Sequence, residues 1–181
     1  MRAFAGAVIA LWAAAGLSGT AIAAQKTVVL PFDLILQKKE EDFFIGAGKP
    51  SAAEQARLQA INLELRNILA ADGSLELIDT SAMTKDIEAA APFVDCNGCE
   101  IDLARKLNGE VLYTGLVDKA SETLLNMRIM EIDVATGGLK RAGNVVIQGN
   151  TDEAWLRGVR WLMKNKLPAA APVAKKSEAA P

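Results

Sequence analysis

Apolar positions along this 181-residue chain change period several times, and each change marks an element. Lys26 to Leu36, KTVVLPFDLIL, is an almost continuous apolar run that predicts a buried first strand. Pro31 marks an edge position or the strand's end, because proline cannot donate to a ladder. Ser51 followed by Glu54 forms a capping-box pattern, and Leu58, Ile61, Leu65, Ile68 and Leu69 recur behind it at helical spacing. Asp72-Gly73 stops that helix, and Leu75 to Ile78 reads as a second strand. Thr80 or Ser81 then caps a shorter helix that runs to about Ala90 and stops at Pro92.

The next stretch, Cys96 to Val117, joins a CNGC turn to a helix over Glu100–Leu107 whose Ile101, Leu103, Ala104 and Leu107 suit packing on a sheet. Asn108-Gly109 ends the helix, and Val111 to Val117 follows as a strand. In Thr123 to Val134 the alternation changes phase near Ile129-Met130, which predicts a bulge or strong twist there. Ala135-Thr136-Gly137-Gly138 turns the chain back into a hairpin strand over Leu139 to Gln148, weakened by Gly143. A last helix runs from Thr151 to about Lys166, with Asn150 as its cap, Glu153 three residues on, and Trp155, Val159, Leu162 and Met163 as its apolar stripe. The order β-α-β-α-α-β-β-β-α makes a single α/β (α+β) domain, a mixed sheet of about five strands packed with about four helices.

Two segments stand outside this pattern. At the start, Arg2, the apolar run Ala3 to Leu17 and Ala21-Ile22-Ala23 have the layout of a signal peptide, residues 1–23, cleaved after Ala23 or alternatively after Ala24. Ser18-Gly19-Thr20 interrupts the run before it could span a bilayer, so no stable membrane anchor is expected and the mature chain should be periplasmic. At the other end, 168–181 is an Ala/Pro/Lys tail without periodicity, expected to be disordered. The folded domain is thus expected over 24–167.

Composition narrows the chemistry. The formal net charge is −2, and losing Arg2 with the leader makes it one unit more negative, so no nucleic-acid partner is expected. The chain contains no histidine. That removes serine-histidine and cysteine-histidine hydrolases and the commonest metal ligand. No catalytic constellation, cofactor site or metal site is visible: a zinc site at Cys96 and Cys99 would need two further ligands, and Glu100 stands where a haem-attachment motif needs histidine. In an oxidising compartment the two cysteines are expected to form a disulfide that sets a local turn, with a thiol–disulfide redox pair as the alternative. Asp95, Glu100 and Asp102 around them read as dipole partners and solvated surface.

Candidate binding residues lie elsewhere. Phe43 and Phe44, in the charged 37–50 segment, either fold back on the core or form a partner-docking loop. Arg157, Arg160 and Lys164 recur at helical spacing with Trp161 beside them, which is either a solvated face or a grip for an acidic partner.

The sequence blocks VVLPF, ELRNILAADGSLELID, ARKLNGEVLYTGLV and MRIMEIDVATGG together resemble the domain shared by the amino-terminal part of the Tol-system periplasmic protein and the curli-secretion lipoprotein. DCNGCEIDLARKLNG and IQGNTDEAWLRGVRWLMKNKL are similar to a family of small exported proteobacterial proteins of unknown function. Its distinctive motif is Gly149-Asn150-Thr151-Asp152-Glu153-Ala154-Trp155. These resemblances imply the α/β fold and an envelope location. The sequence departs from both in showing neither the lipid-anchoring cysteine of the curli type nor the propeller repeats of the Tol protein. The function expected is that of a non-enzymatic binding or assembly adaptor whose partner is another envelope protein.

Overall fold

A computed structural model describes residues 23–36 and 49–168. The leader, Phe43 and Phe44, and the tail beyond Pro168 lie outside the described residues. Among the described residues no helix is long and apolar enough to cross a membrane.

Among the described residues the sheet has six strands, one more than the sequence pattern predicts, because the run from Lys26 to Leu36 is two strands. β1 (Gln25–Val29) and β2 (Asp33–Leu36) both lie parallel to β4 (Val111–Lys119), beside its first and second halves. The interruption falls at Leu30–Phe32, where Pro31 cannot donate to the ladder. Side chains take over there. Phe32 N donates to Asn62 Oδ1 at 2.8 Å, and Arg66 donates to the Val29 carbonyl at 2.6 Å. The Phe32 ring packs on Gly115, whose Cβ, if it had one, would sit 2.2 Å from that ring.

β3 (Leu75–Leu77) borders β1, also parallel, and β5 (Leu124–Asp133) and β6 (Leu139–Gln148) extend the other side as an antiparallel hairpin. The order across the sheet is β3-β1-β4-β5-β6, with β2 beside β4. A bulge or strong twist is expected near Ile129-Met130, and the β5–β6 ladder does shift register close to that point. β5 changes phase because both of its faces are covered: Met127 and Ile129 belong to one core, Ile132 and the half-buried Met130 to the other. The register shift comes at Glu131/Ile132, where β6 passes from Arg141 to Leu139 and leaves Lys140 unmatched.

Among the described residues four helices cover the two faces. α1 (Ala52–Ala70) and α4 (Asp152–Asn165) pack side by side on one face, over Tyr113, Val117, Leu125, Met127 and Ile129. α2 (Thr84–Ala90) and α3 (Cys99–Lys106) cover part of the other, over Val28, Leu30, Leu112 and Ile132. The capping box at α1 forms as predicted: Ser51 Oγ accepts from Glu54 N, and the Glu54 carboxylate accepts from Ser51 N. The cap expected on α2 does not. A 3₁₀ turn over Ser81–Met83 precedes the helix, and Ser81 N is bound by Asp79 Oδ1.

Candidate functional site

β6 ends the sheet, and among the described residues its outer edge has no strand partner. Natural edge strands are commonly guarded by charge, proline or bulges. Here the bulge and Lys140 guard only the first part. From Ala142 to Gln148 the strand carries no charged side chain and no proline.

α4 crosses behind this edge at close range because position 158 is glycine. A Cβ there would lie 2.8 Å from Ile147 Cδ1 and 3.2 Å from Met127 Sδ. Between strand and helix runs a groove of about 340 Å³, with Val145 to Gln148 on one wall and Ala154, Arg157, Gly158 and Trp161 on the other. Val146 is 54% exposed and Trp161 41% exposed, both high for large apolar side chains.

The four α4 residues picked out by spacing do not form one patch. Arg157 and Trp161, one turn apart, line the groove, and the exposed Lys164 continues their stripe. Arg157 is loosely held by Glu153 at 3.3 Å, both ends open to solvent. Arg160 turns away to α1, where its Nε lies 2.7 Å from Glu64 Oε1, and that carboxylate holds the guanidinium charged beyond its usual range.

The motif Gly149 to Trp155 builds the start of α4 and positions the groove wall. Gly149 has φ +89°, which a side chain would strain. Thr151, rather than Asn150, is the cap: its Oγ1 accepts from Ala154 N at 3.2 Å. Asn150 reaches elsewhere. Its Oδ1 accepts from the fully buried Trp155 Nε1 at 3.0 Å and from Arg57 at 3.1 Å, while Arg57 Nε also pairs with Asp152 at 2.8 Å. The acceptor that satisfies a buried indole therefore also fastens α4 to α1.

At the opposite side of the sheet, Cys96 and Cys99 are joined as a disulfide. Cys99 opens α3, and Gly98 before it has φ +91°, so the turn between the sulfurs needs its glycine. Cys96 borders a cavity of about 270 Å³ shared with Asp33, Glu100, Thr114 and Met130. Asp33, not visible as a candidate in the sequence, is 7% exposed and accepts from Val94 N at 3.1 Å, tying the cysteine loop to β2. Burial pushes its carboxyl up, with Asp95 and Glu100 adding repulsion against the backbone hydrogen bonds. Cys96 Sγ lies 3.6 Å from Glu100 Oε2. A carboxylate so placed disfavours a thiolate at Cys96, the reverse of what an exchange-active cysteine needs.

No curated protein matches the chain in sequence. Among solved structures the chain is similar to the PelC dodecamer from Paraburkholderia phytofirmans, 14% identical, covering 80% of this chain and 90% of that one with a TM-score of 0.46. It is similar to the LpoB C-terminal domain from Escherichia coli, 17% identical over 72% and 87% with a TM-score of 0.45. It is also similar to lipoprotein GNA1162 from Neisseria meningitidis, 9% identical over 70% and 82% with a TM-score of 0.47. The matching family model spans residues 25–167, β1 to the end of α4, and the chain belongs to that family, DUF3280, "Protein of unknown function (DUF2380)".

Proposed function

We propose that this is an exported, non-enzymatic binding or assembly protein of the cell envelope that holds another envelope protein along the β6–α4 groove. The observation that carries this reading is the uncharged, unpartnered edge of β6 lying beside an exposed tryptophan. Such an edge offers backbone donors and acceptors to an added strand, and the groove offers a seat for its alternate side chains. Arg157 on the rim, with Lys164 further along the same helix, favours an acidic segment as the occupant. The leader-like residues 1–23 support export, and residues 37–50 with Phe43 and Phe44 remain a second contact in this proposal. The thiol–disulfide alternative has less support, because Glu100 faces Cys96.

The test is a photo-crosslinking residue placed at position 146 in the periplasm-directed full chain. One envelope protein should be captured reproducibly. Capture should be lost with Arg157→Glu/Trp161→Ala and kept with Arg160→Glu, whose side chain the fold turns to Glu64. Equal capture by all three chains removes the groove from the proposal.

A further inference from the structure

The cysteine loop has a second chemistry available to it when reduced. The two sulfurs and a Glu100 carboxylate oxygen all lie within 4.8 Å of one another. For a zinc ion with sulfur at about 2.3 Å and oxygen at about 2.0 Å, a tetrahedral sulfur-to-oxygen edge is about 3.5 Å. The distance from Cys96 Sγ to Glu100 Oε2 is 3.6 Å. The sulfur-to-sulfur edge of the same tetrahedron is about 3.8 Å. The Cα atoms of the cysteines are 5.6 Å apart, so rotation about the side-chain bonds can open that edge once the disulfide is cut.

Two further features suit a cation at this place. No side chain caps α3, so the amides at Cys99 and Glu100 are free to donate to thiolate sulfur. The Glu100 and Asp33 carboxyl groups line the cavity that Cys96 borders. Carboxylates that oppose a bare thiolate stabilise a thiolate bound to a divalent cation.

We propose that the reduced protein binds one zinc-like divalent cation through Cys96 Sγ, Cys99 Sγ and the Glu100 carboxylate, with the fourth position open to the cavity. Disulfide and metal site are then alternative states of one loop. In the balanced step, two equivalents of a thiol reductant cut the disulfide, giving two cysteine thiols and the oxidised reductant. The cation then replaces both thiol protons, which pass to solvent. The sequence shows only the two cysteines as ligands. The third comes from the start of α3, which folds the carboxylate back toward Cys96.

The experiment uses the full mature chain, freed of metal and reduced under argon, with Co²⁺ as the spectroscopic probe. Sulfur-to-cobalt charge-transfer absorption should saturate at one ion per chain and vanish when Zn²⁺ is added. The oxidised chain should show none. Glu100→Gln should weaken Zn²⁺ binding about tenfold or more, measured by competition with a chromophoric chelator, while circular dichroism confirms the fold. Absence of the charge-transfer band in the reduced wild-type chain overturns the proposal. An unchanged affinity in a folded Glu100→Gln chain overturns the three-ligand site.

Discussion

Glu54 sits where a helix cap meets an ion pair. One carboxylate oxygen accepts from Ser51, and the other lies 2.8 Å from Lys119 Nζ on β4, with both side chains largely buried. Burial pushes the carboxyl up, but Lys119 and the Ser51 hydrogen bonds outweigh it and hold the group down at about 2. A carboxyl lowered on folding adds stability above its unfolded value, and that stability is lost as pH falls through the folded one. The shift corresponds to about 3 kcal/mol. Urea unfolding at about pH 6 and about pH 2.5 should therefore show a large fall in the wild type. Glu54→Gln should start less stable and fall by less, and equal slopes would show that the pair carries no such linkage. The cap half of this arrangement is legible in the sequence because Ser51 and Glu54 are three residues apart. The Lys119 half is not, since its partner is brought in by topology, and Asn150 is misread for the same reason: Arg57 lies 93 residues away.

At the scale of elements, local pattern identifies the four helices, the hairpin and the α4 stripe, and it fails where two faces or a partner strand decide the outcome. β5 looks phase-shifted because a strand covered on both sides needs no alternation. Likewise, nothing in Ala142 to Gln148 says that β6 is the sheet's last strand, so Arg157 and Trp161 could be singled out by spacing while the strand wall of their groove could not. The break between β1 and β2 gives a further test. In a strand, Gly→Ala ordinarily gains about 0.5–1 kcal/mol in backbone entropy. At Gly115 the added methyl would meet the Phe32 ring at 2.2–2.6 Å, and such overpacking costs about 1–3 kcal/mol. Gly115→Ala should consequently lower the denaturation midpoint, and Phe32→Leu should make the same substitution close to neutral. Additive losses in the double variant would mean that the ring is not what excludes the side chain.

Across the whole molecule, one sheet separates two apolar cores of unequal size. The larger holds Trp155 with α1 and α4; the smaller holds Phe93, Leu103 and Ala104 with the half-buried cysteines at its margin. A clasp between residues only three apart removes little freedom from the unfolded chain, at most about 2 kcal/mol by loop-closure entropy. Its effect should also be local, because Asp33 and the packing of Phe93 tie the same loop to the sheet independently. Cys96→Ser/Cys99→Ser should therefore unfold in a single transition, with stability lowered by no more than that amount. Native-state hydrogen exchange should quicken between residues 93 and 107 and stay unchanged in α4 and β5. Faster exchange in α4 would show instead that the clasp supports the main core. The groove lies on the far core with Trp155, so the capture proposed for it should be the same whether the cysteines are joined, free or replaced.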